Sequence, residues 1–378
     1  MSIEDVLAAV TARADELLAE TIRIAEIPAP PFQEGARSAY IAERFRAIGL
    51  QKVHIDHLGN VTGRRPGAEG SPTVMVVSHI DTVFPAGTDV RVRVEGARAY
   101  GPGISDNSMA LASLINLVPA LDQAGYALPC NLILAASVGE EGLGDLRGMR
   151  QLMADWQGKV DAVVVYDGNV GGVVWGGVGS RRLRVHYKAA GGHSFGDFGN
   201  PSAIHGLVTA CARFAALPVP EEPKTTLNIG TIKGGTSINA IAEEAEAFID
   251  MRSVGTAELE MLVGKAVRIF ERTATELGCT AEITTVGDRP AGALRQDHPL
   301  VKLAVDVLTG MRIKPQLSIS STDANVAFAL GIPAVCIGSG IGMGAHTLGE
   351  YLEIPSLVPG LQQLVQVLAR LDWATIRG

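Results

Sequence analysis

The sequence is short of cysteine. Only Cys130, Cys211, Cys279 and Cys336 occur, far apart and with no C-x-x-C pair. They read as small buried hydrophobes in a reducing compartment, not as a disulfide framework. Long apolar runs are missing too, and none approaches the ~20 residues that span a bilayer. The first residues, M-S-I-E-D-V-L-A-A-V, lack the basic region, apolar core and cleavage-like site of a signal peptide. These absences predict a cytoplasmic protein with no membrane partner. Basic residues are in deficit, 32 Lys and Arg against 40 Asp and Glu, for a net charge of −8. That balance argues against a nucleic-acid partner, which would want a basic face. Repeats and low-complexity linkers are absent. What is abundant is glycine, with 44 residues, above the ~7% of average usage. Many of these sit at strand ends, where a missing Cβ permits tight turns and close backbone approach.

A chain of 378 residues suggests two domains. Its 47% apolar and 19% charged residues are those of an ordinary globular protein. Helical spacing covers about 3–26 and 34–48, and two short strands flank a turn at Gly59-Asn60. T-V-M-V-V-S-H (73–79), N-L-I-L-A-A-S-V (131–138) and D-A-V-V-V-Y-D (161–167) are continuous apolar runs, as expected of strands buried on both faces. Helices at about 107–123 and 145–155 alternate with them. This predicts an α/β sandwich with a largely parallel sheet. Near Gly179 the pattern changes, and R-L-R-V-H-Y-K-A alternates. From there the order strand, helix, strand, strand, helix, strand is the ferredoxin-like βαββαβ unit. The α/β pattern resumes at about 299. The reading is therefore a discontinuous domain, 1–179 with 289–378, carrying an inserted domain at 180–288.

The chemistry gathers at strand ends. S-V-G-E-E-G-L-G (137–144) ends an apolar strand with two adjacent carboxylates, Glu140 and Glu141. Side by side they repel unless water or a cation compensates. The other runs end alike: His79-Ile80-Asp81, Asp167, and a Gly-rich loop leading from I-P-A-V-C-I-G to His346. In open α/β sheets, sites form outside the carboxyl ends of the strands. Asp106, in Y-G-P-G-I-S-D-N-S, is a fifth candidate just before a helix. Mixed imidazole and carboxylate donors suit Zn2+ or a related divalent ion, with Co2+ or Mn2+ as alternatives. Five are too many for one catalytic ion and fit two, about 3.5–4 Å apart, sharing a carboxylate.

H-I-D-T-V, G-P-G-I-S-D, E-E-G, Y-D-G, G-G-H-S and A-H-T-L-G-E-Y occur in this order along the chain. The ordered set resembles the M20 metallopeptidases, a family that includes peptidase T, glutamate carboxypeptidase and aminoacylase-like enzymes. The resemblance implies a three-layer zinc-exopeptidase-like catalytic domain whose inserted domain serves as lid or dimerisation domain, in a homodimer. It implies that His79 and Asp167 bind one cation, Glu141 and His346 the other, and that Asp106 bridges them. Glu140 would be the general base, taking a proton from water and passing it to the leaving amine. Asp81 would hydrogen-bond the far nitrogen of His79. His193 would help stabilise the oxyanion, usually from the neighbouring subunit, and Asn239 and Arg252 would bind the substrate backbone or its carboxylate.

Each residue has a plainer alternative. Asp106 could cap the following helix, Asp81 could cap a turn, His193 could be an idle turn residue and Arg252 a strand-end ion pair. The chain also departs from the family: Asn107, Ser108 and Met109 stand where many members carry Lys and then Gly, and Asn239 is followed by Ala-Ile-Ala where Pro is common. Asp rather than Glu at 167 resembles the di- and tripeptidase branch. The expected activity is therefore hydrolysis of short peptides, of di- or tripeptidase type. The alternatives are an N-acyl-amino-acid deacylase or carboxypeptidase on the same scaffold, and an inactive metal-binding scaffold protein.

Overall fold

The computed structural model describes residues 2–377. The chain divides into two compact units, Met1–Gly177 with Ala293–Gly378, and Val178–Gly292. The sequence pattern put these borders at 179/180 and 288/289. The later border moves because the strand Thr280–Arg289 keeps pairing through Arg289, opposite Ser180.

The first unit is built on a mixed sheet. Its strands lie side by side in the order Gln51–Ile55, Val61–Arg65, Asn131–Ser137, Thr73–His79, Ala162–Tyr166, Ala334–Ile337, Gly172–Gly177, with Gln316–Ser320 beside the last. The four central strands, from Asn131–Ser137 to Ala334–Ile337, run parallel. Their side chains alternate between two cores. Val74, Val76, Leu132, Leu134 and Val164 pack into one cluster, with helices Ile3–Ala12, Ala14–Ala25, Met109–Gln123 and Leu357–Leu368. Met75, Val77, Ile133, Ala135 and Val163 pack into the other, with Arg147–Trp156 and Ala324–Ala329. A strand with helices on both faces must be apolar at every position, and the result is three layers.

The two short strands expected around Gly59-Asn60 form a hairpin, antiparallel to each other and to Asn131–Ser137. Only a tight turn joins them, with the Asp56 carboxylate accepting from the amides of Leu58, Gly59 and Asn60, and a parallel pair would need a long crossover. The first helix breaks at Arg13, whose guanidinium reaches Asn116. The helix expected from about 107 starts at Met109, after a wide turn over Ile104–Ser108. A small sheet of Arg93–Glu95, Arg98–Tyr100, Tyr351–Glu353 and Gly342–Met343 escaped the sequence reading, because strands of two or three residues carry no readable period.

The second unit has strands Gly179–Lys188, Thr225–Gly234, Glu244–Ser253 and Thr280–Arg289, with helices Ala203–Ala215 and Thr256–Glu276. Sheet order is Thr225–Gly234, Glu244–Ser253, Gly179–Lys188, Thr280–Arg289, every neighbour antiparallel. Leu183, Val185 and Tyr187 pack under the helices with Phe214 and Phe270. The residues between them turn the other way, where Arg184 pairs with Glu246 and Arg182 with Asp250. That is the alternation read from R-L-R-V-H-Y-K.

Candidate metal centre

The site lies at the carboxyl ends of the parallel strands of the first unit. His79 is the last residue of its strand, Asp167 directly follows Ala162–Tyr166, and Glu140 and Glu141 follow Asn131–Ser137 through Gly139 at φ 71°. His346 comes from the loop before Tyr351–Glu353 and holds a left-handed φ of 67°. Asp106 sits in the wide turn, and its peptide bond to Asn107 is cis.

These side chains converge. Asp106 Oδ1 lies 2.9 Å from His79 Nε2, and Asp106 Oδ2 lies 3.1 Å from His346 Nε2. His346 Nε2 is also 2.9 Å from Glu141 Oε1. Ligand atoms of His79, Asp106 and Glu141 fall within 4.8 Å of one another. Asp106 thus spans two imidazoles with its two oxygens, the placement a shared carboxylate requires.

Charge is crowded here. Burial pushes the Asp167 carboxyl up to about 7, with Asp106, Glu141 and Asp323 adding to the rise and His79 opposing it. Burial raises Glu141 as well. Burial would raise Asp106, but contacts with His346 and His79 hold it well below the usual carboxylate range. His346 is raised to about 9, first by its contact with Asp106. Burial would lower His79, yet Asp106, Asp167 and Asp81 outweigh it and hold the imidazole well above its ordinary value. Carboxylates buried this close favour a compensating positive charge. The donor set of imidazole nitrogens and carboxylate oxygens fits divalent cations of the zinc type.

Residues 75–370 match the model of peptidase family M20/M25/M40. The chain belongs to the M20 peptidase family. It is therefore a metal-dependent peptidase or amide hydrolase. A tripeptidase from Staphylococcus aureus has the same fold, with a TM-score of 0.83 and 24% identity over 94% of this chain and 98% of that one. A dinuclear metal-binding M20 peptidase of Bacillus subtilis superposes with a TM-score of 0.72 at 17% identity, covering 96% of this chain and 99% of that one. A succinyl-diaminopimelate desuccinylase of Corynebacterium glutamicum is 25% identical over 92% of this chain and 95% of its own length.

The M20 site departs from the sequence reading at Asp81. The far nitrogen of His79, Nδ1, meets the backbone carbonyl of Asp81 at 2.9 Å, while the nearer carboxylate oxygen is 3.8 Å away. The carboxylate accepts instead from the amides of Glu140 at 3.0 Å and Glu141 at 2.8 Å. Asp81 thereby fixes the backbone of both glutamates, because two amide donors to one buried carboxylate outcompete a more distant ring nitrogen. The remaining three residues lie in the second unit. His193 is exposed, and its Nδ1 accepts from the amides of Phe195 at 3.3 Å and Gly196 at 3.1 Å. Asn239 Oδ1 accepts from the Ser237 hydroxyl at 2.6 Å. Arg252 pairs with Asp250 at 2.7 Å, the strand-end ion pair weighed as its alternative.

Sequence reading missed three buried charged residues near this site. Arg37, 1% exposed, donates to the carbonyls of Ile27 and Ile80 at 2.9 Å each. Its signal was an Arg in register with Ser38, Ile41, Ala42 and Phe45 on the buried face of helix Gly35–Ala47. Asp323, 2% exposed, accepts from the Ser137 hydroxyl at 2.5 Å. It follows strand Gln316–Ser320, so the strand-end rule would have found it had the half-exposed L-S-I-S been read as a strand. Glu350, 0% exposed, stood in the A-H-T-L-G-E-Y motif that was read only for its His.

Proposed function

We propose that this protein is a dinuclear exopeptidase that hydrolyses short peptides, of di- or tripeptidase type. The observation that carries it is the convergence of His79, Asp106, Glu141 and His346 on one point, with Asp167 among the same charges. In this reading His79 and Asp167 would hold one cation and Glu141 and His346 the other, with Asp106 shared between them. Zn2+ is the expected ion, with Co2+ or Mn2+ as substitutes. Two such cations supply Lewis acidity toward the scissile carbonyl and ease the deprotonation of water near neutral pH.

The chain's own groups do the rest. Glu140, whose amide is held by Asp81, takes a proton from water and delivers it to the leaving amine nitrogen. Asp81 holds Glu140 and Glu141 in register, so base and ligand keep a fixed separation. The family resemblance supports His193 as an oxyanion donor and Asn239 and Arg252 as contacts to the substrate backbone or carboxylate. The second unit, with its βαββαβ order, is read as a ferredoxin-like lid and dimerisation domain.

Asp at position 167 supports a substrate with a free amino terminus. A second reading, removal of an acyl group from an amino acid on the same site, is favoured by the desuccinylase relative at 25% identity. Hydrolysis of a free tripeptide beside its N-acetylated twin, with Zn2+ or Co2+ added and with chelator, separates the two. Cleavage of the free peptide alone is expected. Cleavage of the acetylated compound alone moves the protein to the deacylase or carboxypeptidase branch. Two bound ions with no turnover of either compound would mean either a substrate outside both classes or the inactive scaffold.

A further inference from the structure

Glu350 is fully buried and belongs to no ligand set proposed above. Its side chain collects four donors. Oε1 accepts from the Ser105 amide at 2.8 Å, the Ser105 hydroxyl at 2.7 Å and the Asp106 amide at 2.9 Å. Oε2 accepts from the Gly103 amide at 2.8 Å. An ionised carboxylate has about four acceptor directions and no donor, so four donors match its capacity. The Glu350 carbonyl also accepts from the Gly101 amide at 3.0 Å. Glu350 thus gathers Gly101, Gly103, Ser105 and Asp106 of the segment that delivers the Asp106 side chain, while Asn107 Nδ2 donates separately to the Tyr166 carbonyl at 3.1 Å.

Glu350 shares its loop with His346, one turn of chain earlier. Glu350 thus joins the loop of His346 to the loop of Asp106, and these two side chains meet at 3.1 Å. A carboxylate that serves two partners must aim two oxygens in two fixed directions. Rotation of the Asp106 backbone would spoil both contacts at once, and a hydrogen bond to its own amide prevents that rotation. The surroundings leave little slack. A Cβ added at Gly103, where φ is 72°, would lie 2.6 Å from Thr82 Cγ2, and one at Gly342 would lie 2.2 Å from Ser105 Cβ. Taking a carboxylate out of water is costly. Space-filling alone would be met by an apolar side chain, whereas a fully satisfied buried network holds one geometry.

We propose that Glu350 is a positioning residue of the metal centre, acting through Asp106 to set the geometry of the shared carboxylate without touching substrate or cation. The proposal rests on the dinuclear reading of the site. Co2+ binding by calorimetry and by visible absorption tests it in wild type, Glu350→Gln and Ser105→Ala, with circular dichroism and thermal midpoint as folding controls. Gln keeps the size but sets an NH2 against at least one of the four donors. Ser105→Ala removes one donor and leaves the carboxylate.

Wild type is expected to take two Co2+. Glu350→Gln should lose about 10–100-fold in affinity for the second ion, the usual cost of removing an outer-shell partner, with a changed visible band. Ser105→Ala should lose less, in the same direction. On a cleaved substrate, kcat should fall with little change in KM. If both variants fold and bind two Co2+ with wild-type affinity and spectrum, the proposal is overturned while the dinuclear reading stands. If Glu350→Gln does not fold, Ser105→Ala decides: a severalfold weaker second ion supports the proposal, and wild-type binding overturns it. Wild-type protein that takes fewer than two ions overturns the dinuclear reading and this proposal together.

Discussion

At the scale of single residues, the proposed mechanism separates groups that hold geometry from the group that moves a proton. Asp81 and Glu350 are both buried carboxylates committed to backbone amides, and neither is free to exchange protons with substrate. Glu140 shares its loop with Glu141 but is proposed as the base. Glu140→Gln should keep its metal content, read by elemental analysis, and lose about 10²–10⁴-fold in kcat, the span a general base supplies. Activity close to wild type would remove Glu140 from the mechanism. His346 makes a pH prediction for metal-free protein. Its folded value is raised to about 9, above the unfolded ~6.5. The stabilisation from its charged form is therefore fully present below ~6.5 and is lost as pH rises through about 9. The thermal midpoint of metal-free wild type should fall across that window, and His346→Gln should flatten the fall. An unchanged slope in the variant would show that the ring is not charged in the folded state.

At the scale of elements, close backbone approach is what lets helices and loops reach the sheet edge. Helix Leu357–Leu368 packs against the loop after Ala334–Ile337 at Gly360, where a Cβ would stand 1.9 Å from the Ser339 carbonyl oxygen. Two effects compete in Gly360→Ala. Helix propensity favours Ala by about 1 kcal/mol, while overpacking costs about 1–3 kcal/mol. The clash is against backbone, which cannot swing aside, so the substitution should be net destabilising in urea unfolding. A stabilised variant would mean the helix can shift away from Ser339. The same reasoning explains much of the glycine excess: Gly338 faces the Asn169 carbonyl carbon and oxygen, and Gly148 faces Val138 O, both too close for any side chain.

At the scale of the whole molecule, the second unit has its own core and two open sheet edges. Among the described residues its outer strands, Thr225–Gly234 and Thr280–Arg289, have one unpaired side each, and Ile232 on the first is 50% exposed. Open edges invite pairing with a second copy. Sedimentation at micromolar concentration should therefore report twice the 39.6 kDa of one chain, and a monomer there would exclude the proposed homodimer.

What the sequence determined by itself was the set of buried strands and the residues at their ends. A strand covered on both faces must be apolar along its length, so T-V-M-V-V-S-H and N-L-I-L-A-A-S could be read without a partner, and a charged group after such a run stands out. The βαββαβ order was legible for the same reason, since periods of 2 and 3.6 are local. Tertiary structure decided what depends on residues far apart in the chain. The two- and three-residue strands and the pairing of Gln316–Ser320 with Gly172–Gly177 carry no local period. Nor does any local pattern say that Asp81 would spend its carboxylate on Glu140 and Glu141, or that Glu350 would close on Ser105 and Asp106 across more than two hundred residues. Hydrogen-bond partners of a buried carboxylate are chosen by which donors the fold brings within about 3 Å, and that choice exists only once the chain has closed.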